Sequence, residues 1–202
     1  MALGKMSLPV ILRGEMAFRA TLLALLAMVM GVVMAGTAAA DQNDPRLEAY
    51  FAQLLAAKDA QSAQPSETSI WRIWFEHEDE AVRILMREGG AALDRGDARS
   101  AMRNFDQVIA IAPGFAEGWN RRATLNYLIG AYEASLADIE KTLALEPRHF
   151  GALSGRGLVY SQLEKWESAL QSFEAALEVY PSMQGARINA EEIRRDLKNR
   201  QI

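Results

Sequence analysis

His77 and His149 are the only histidines in this 202-residue chain, and it has no cysteine. His77 stands inside Glu76-His77-Glu78-Asp79-Glu80, a run of nitrogen and oxygen donors of the kind that holds a divalent cation. Five consecutive residues at a helix end diverge rather than converge on one point. The run therefore reads as a solvated acidic face, with a metal or enzyme site near His77 as the alternative. His149 ends the turn Pro147-Arg148-His149, and neither Ser154 nor Ser161 has a histidine at a spacing that would activate it. The chain holds no GxSxG, P-loop, HExxH or dinucleotide glycine motif. The absence of cysteine removes disulfides, thiolate nucleophiles and cysteine-ligated zinc. The expectation is no catalytic residue, no cofactor and no metal.

Composition bounds the remaining functions. Half of the residues are apolar and 24% are charged, an ordinary globular balance. The formal net charge is -4. The first forty residues carry three cations and one anion, so without them the charge is -6. A mildly acidic chain without a basic block does not suit nucleic acid, because phosphate binding needs clustered Lys and Arg.

Residues 1–40 read as a secretory signal. Lys5, Arg13 and Arg19 precede an uncharged apolar run from Ala20 to Val33, and the small residues Ala38-Ala39-Ala40 follow. Cleavage is expected after Ala40, with Met16 as a second candidate start. The uncharged stretch Ala20–Ala40 is also long enough to be an uncleaved anchor. Either way the expected location is the periplasm, soluble or anchored in the inner membrane through that segment alone.

The elements that would position any site come from a repeat. Pro113, Pro147 and Pro181 are spaced by thirty-four residues each, closing the phrases AIAPGFAEGW, ALEPRHFGAL and EVYPSMQGAR. Small residues recur at Gly89, Ala123 and Gly157, and again at Ala101, Ser135 and Ala169. Large apolar residues recur at Leu85, Trp119 and Leu153, and at Phe105, Ile139 and Phe173. Each unit therefore holds two helical stretches of about twelve to fourteen residues around a short turn. Gly96 and Gly130 can end the first helix in the left-handed conformation. Small residues allow close helix crossings, and proline ends the second helix.

This pattern resembles the tetratricopeptide-repeat family. Repeat one, Val82–Phe115, matches with Leu85, Gly89, Ala101, Phe105 and Pro113; repeat two, Ala116–His149, with Trp119, Ala123 and Pro147. Repeat three, Phe150–Met183, matches with Leu153, Gly157, Tyr160, Ala169, Phe173, Ala176 and Pro181. Ala92 and Asn126 depart at an aromatic position, Thr142 at an alanine position, and Glu164 at the turn glycine. The resemblance implies an all-α right-handed superhelix of three stacked hairpins, without catalytic function.

The flanks read as helical caps. Residues 41–80 form an N-terminal hairpin. Its first helix runs from Pro45 to about Ala60, residues 61–65 link, and Ser66 caps a second helix carrying Ile70, Trp71, Ile73, Trp74 and Phe75. Trp71 and Trp74 are expected either buried against repeat one or exposed as a docking stripe. Residues 184–202 form a C-terminal capping helix with Ala186, Ile188, Ala190, Ile193 and Leu197 on its apolar side.

The family's first helices line a concave groove that receives a peptide. Carried over, that groove is Arg83, Met86, Arg87 and Gly90 from repeat one, and Glu117, Asn120, Arg121, Thr124 and Tyr127 from repeat two. Repeat three adds Gly151, Ser154, Gly155, Leu158 and Gln162. Places where some members clamp a C-terminal carboxylate hold Met86, Gly90, Arg121, Gly151 and Gly155, so that clamp is absent. Gly151 and Gly155 either leave room for a bulky partner side chain or permit close packing. Arg83, Arg87 and Arg121 should gather on one wall, either neutralised by Glu117 and Asp94 or facing acidic groups of a partner. The expected function is an envelope scaffold or adaptor for a protein or peptide partner. The alternative is self-assembly through the Trp helix or the convex face.

Overall fold

The computed structural model describes residues 42–200. They form α1 (Arg46–Ala56), α2 (Ala60–Phe75), α3 (Glu80–Asp94), α4 (Ala98–Ile111), α5 (Ala116–Leu128), α6 (Tyr132–Leu145), α7 (Phe150–Gln162), α8 (Trp166–Val179) and α9 (Gln184–Arg200). No strand occurs among the described residues. The leader and its proposed cleavage site lie outside them. None of the described helices is long and apolar enough to cross a membrane.

The pairs α3–α4, α5–α6 and α7–α8 are the three repeat hairpins. The thirty-four-residue period is visible in their crossings. A methyl group added at Gly89 would sit 2.5 Å from Phe105, and one at Gly157 would sit 2.6 Å from Phe173, so each glycine admits the ring sixteen places on in the partner helix. The turn inside each hairpin needs a left-handed residue. Gly96 (φ 73°), Gly130 (φ 78°) and Glu164 (φ 57°) supply it, so repeat three turns as the others do despite its glutamate. First helices touch first helices, α3 with α5 and α5 with α7, which makes an inner row; α4, α6 and α8 form the outer row.

Repeat two has a polar core, and this accounts for its departures from the family pattern. Asp138 accepts two bonds from Arg122, at 2.9 and 2.7 Å, and one from Asn126 at 3.0 Å. Thr142 donates to the Asp138 carbonyl, and Ser135 to the Ala123 carbonyl. Arg122 also pairs with Asp106 of α4 at 2.7 Å, and these carboxylates, Asp138 above all, raise the guanidinium's pKa. Every buried polar group in this set has a partner, as a low-dielectric site demands.

The C-terminal helix buries Ala186, Ala190 and Ile193 against α8. Ile188, expected on that face, is 53% exposed. Two residues past Ala186 it is rotated about 200° round the helix, away from the contact.

The N-terminal hairpin does not sit as an end cap on repeat one. It lies along the edge where one repeat turns into the next. At the α4–α5 turn, Gln42 donates to the Gly114 carbonyl and accepts from the Ala116 amide. At the α6–α7 turn, Trp74 stacks on His149 with ring centres 4.1 Å apart, and Arg148 lies over Phe51 while pairing with Glu48. At the α8–α9 turn, Tyr180 donates to Glu67 at 3.0 Å. Leu47, Phe51, Leu54, Ile70, Ile73 and Trp74 join Phe150 and Tyr180 in one core. The hairpin is thus a brace across all three turns. Trp74 is 1% exposed, so it forms no docking stripe, and its neighbours belong to the junction of repeats two and three.

The start of α2 also differs from expectation. Residues 61–65 are helical, not a linker. Asp59 accepts from the Ser62 amide and Ser62 accepts from the Asp59 amide, a reciprocal cap that starts the helix five residues before Pro65. Ser66 lies inside the helix and donates to Gln53 of α1.

Candidate functional site

The inner row carries two cavities that share α5 as a wall. The first, about 700 Å³, lies between α2, α3 and α5 and is lined by Arg72, Phe75, Arg83, Arg87, Gly90 and Arg121 among others. The second, about 200 Å³, lies between α5 and α7, with Ile139 and Met183 behind it; Asn120, Thr124, Tyr127, Ser154, Gly155 and Leu158 line it. The first is cationic and the second mainly apolar.

The structure brings Arg83, Arg87 and Arg121 into one cavity, but they are not equivalent. Arg83 donates to the carbonyls of His77 and Glu78, both at 2.7 Å, and so secures the α2–α3 connection. Arg121 donates through Nε to Glu117 at 2.8 Å, and its guanidinium lies 4.3 Å above the Phe75 ring. Arg87 is exposed and makes no ion pair with any described residue. Met86 is buried beneath them, and no atom lies within 4 Å of a methyl group placed at Gly90.

Glu117, expected in the groove wall, is buried beneath it. Its carboxylate accepts from Asn120 at 2.9 Å and from Arg121, and meets His149 Nε2 at 3.1 Å. His149 Nδ1 accepts from the Ala152 amide at 3.0 Å, which caps α7 and leaves Nε2 to carry the proton donated to Glu117. A buried carboxylate with three donors is held in place, not presented to a ligand. Its pairing with His149 crosses thirty-two residues, and no local spacing signals it.

In the second cavity, Leu158 is 37% exposed at the mouth. Thr124 donates to the Asn120 carbonyl, and Tyr127 tilts against Tyr132. Gly151 and Gly155 take different roles. A methyl group on Gly151 would lie 2.7 Å from Trp71, so this glycine makes room for the brace. At Gly155 the nearest atom would be Ile139 Cδ1 at 4.0 Å, so this glycine leaves the cavity open. Gln162 accepts from Tyr132 at 3.3 Å and lines neither cavity. Arg72 and Phe75, supplied by α2, were missed: the repeat pattern stops at α3, and nothing in it places the preceding helix beside the groove.

The acidic run does not gather round His77. Its Nδ1 accepts from the Asp79 amide at 3.1 Å and its ring packs against Phe115. Among the described residues no three His, Asp or Glu side chains are placed to share a metal ion.

A protein of Rhizobium etli described as TPR repeat-containing is 36% identical over 137 residues, which are 68% of this chain and 67% of that protein. The chain belongs to the tetratricopeptide-repeat family. No protein-family model matches it. The wheat Hsp70-Hsp90 organizing protein is 32% identical over 98 residues, and the match covers 48% of this tetratricopeptide-repeat chain but 17% of the wheat protein. Among solved structures, the first tetratricopeptide-repeat domain of Spaghetti (RPAP3), bound to an HSP90 peptide, superposes with a TM-score of 0.58 at 21% identity. It covers 60% of this chain and 96% of that domain, a likeness of fold. The inner row of α3, α5 and α7 is therefore the concave surface of a tetratricopeptide-repeat solenoid.

Proposed function

We propose that this chain is an exported adaptor that holds a protein or peptide partner in its concave groove and performs no catalysis. The observation that carries this reading is the pair of cavities on the inner row, one cationic and one apolar, sharing α5. Together they offer a partner both an oriented charge contact and a socket for an apolar side chain, the combination that gives a binding site affinity and register. The fold supports it too: the Spaghetti domain, with the same architecture, is bound to a peptide, and so is the second TPR domain of human RPAP3, in complex with an HSP70 peptide.

Export to the periplasm, with release or anchoring by residues 1–40, rests on the basic residues, apolar run and alanines at the N-terminus. The alternative, self-assembly through the Trp helix or the convex face, has less support at the helix, where Trp74 is buried within the chain.

The test is recovery of a partner from envelope extract with intact bait and with Gly155→Leu, which fills the second cavity. Specific recovery that drops at least about tenfold with the filled cavity, with melting unchanged, supports the groove. Equal recovery by both baits places the binding surface elsewhere. Fractionation of a C-terminally tagged chain in its host tests export, and a soluble cytoplasmic product that retains residues 1–40 would refute it.

A further inference from the structure

Besides α5, the first cavity has two walls of different origin. One is α3, a repeat helix. The other is the end of α2, which belongs to the brace and not to any repeat. Each wall presents one arginine without an ion pair among the described residues: Arg87 from α3 and Arg72 from α2. The remaining two arginines of the cavity are engaged, Arg83 by carbonyls and Arg121 by Glu117. Four arginines line the space against two carboxylates, Glu76 and Asp94, and Glu76 already lies 3.4 Å from Arg46 outside the cavity. In a chain of net charge -4, this is a local excess of positive charge on a concave wall.

Resting on the groove reading above, we propose that this cavity binds the side-chain carboxylates of an acidic peptide segment, with Arg72 and Arg87 as opposed jaws. A volume of about 700 Å³ exceeds what a single carboxylate needs and accommodates several side chains. The two free guanidinium groups come from separate helices, so they suit two carboxylates on one segment rather than one terminal group. Guanidinium is the fitting donor, since its planar fork meets a carboxylate with two parallel bonds. Arg72 lies in the last turn of α2, where the helix dipole favours a cation, and Phe75 one turn on holds Arg121 against the same wall. The brace thus completes the site as well as stiffening the stack.

The test uses the full-length chain in mild detergent and fluorescein-labelled octapeptide pools with amidated C-termini. One pool alternates Asp or Glu with Ala or Leu; a second carries Asn or Gln at the same places. Fluorescence anisotropy is read for the parent, Arg72→Gln, Arg87→Gln, the cavity-filling Gly155→Leu and the outer-surface control Arg103→Gln. The expected result is preference for the acidic pool, weakened several-fold by raising salt from about 50 to about 300 mM. Each of Arg72→Gln and Arg87→Gln should weaken it about tenfold, the loss of one charge-assisted bond, with Arg103→Gln and all melting temperatures unchanged. A third pool, the acidic one remade with free in place of amidated C-termini, should bind less than about twofold more tightly. Equal binding of both pools, still sensitive to Gly155→Leu, would overturn the acidic chemistry while leaving the groove reading intact. Binding of neither pool would overturn both. Acidic binding that Arg72→Gln leaves unchanged would overturn the role of α2.

Discussion

Replacing Trp74 by alanine should detach the brace. The indole is 1% exposed and contacts four rings: His149 stacked at 4.1 Å, Phe150 at 5.1 Å, Trp71 edge-on at 5.3 Å and Phe51 at 5.9 Å. Truncating a buried aromatic of this size costs about 3–5 kcal/mol in lost transfer energy and cavity. One contribution opposes that loss. The Trp74 Nε1–H is buried with no hydrogen-bond partner among the described residues, and removing such a group returns about 1 kcal/mol, the low end for an unsatisfied donor. The net expectation for Trp74→Ala is a loss of about 2–4 kcal/mol, and Trp74→Phe, which keeps a ring and drops the donor, should stay within about 1 kcal/mol of the parent. Urea unfolding followed by far-ultraviolet circular dichroism gives both values. Hydrogen exchange then locates the damage: α1, α2 and the Ala116 amide, which is bonded to Gln42, should lose protection before α7 and α8 do. A loss below about 1 kcal/mol for Trp74→Ala, or protection lost evenly across all nine described helices, would refute the brace.

Glu164→Gly should raise stability by roughly 1 kcal/mol, because it relieves a side chain held at φ 57°; a denaturation midpoint that falls would show the glutamate to be serving another purpose. Neighbouring glycines should respond with opposite signs to alanine. Gly89→Ala collides with Phe105 and should cost about 1–3 kcal/mol, while Gly90→Ala points into open space within α3 and should gain up to about 1 kcal/mol, both readable by thermal melting. Burial and the hydrogen bond to Glu67 push the Tyr180 phenol up to about 12. The folded state therefore holds that proton more tightly than the unfolded one, so the stabilisation is whole below about pH 10 and is lost as pH rises towards 12. Tyr180→Phe should flatten that alkaline decline in an unfolding series against pH, and an unchanged slope would assign it to other groups.

The repeat architecture was legible because each of its demands falls on a residue type with few substitutes. Pro113, Pro147 and Pro181 end helices, Gly96 and Gly130 turn them, and Gly89 and Gly157 admit Phe105 and Phe173. The brace was not legible. Amphipathic spacing tells which face of α1 and α2 is buried but not what buries it, and the contacts that decide this, such as Trp74 with His149, span seventy or more residues. Residues 61–65 read as a linker with Ser66 as the cap, yet the reciprocal Asp59–Ser62 cap starts α2 before Pro65. Of the groove residues, repeat position alone placed Arg87 and Gly155 on the inner surface, but it left open whether Arg87 is paired and whether Gly155 faces open space. Glu117 was not legible: position assigns it to the inner surface, but a carboxylate with three donors at hand is more stable withdrawn among them. Arg72 was invisible for the same reason as the brace.

Photo-crosslinking in the host tests the central claim, that the concave groove is where this chain holds its partner. A photoreactive phenylalanine analogue is placed singly at Leu158 and at Gly90 on the inner row, and at Ile188 on the exposed face of α9. One protein adduct common to Leu158 and Gly90 is expected, absent at Ile188 and suppressed by Arg87→Gln at the Gly90 position. An adduct formed from Ile188 and from neither inner-row position would contradict it.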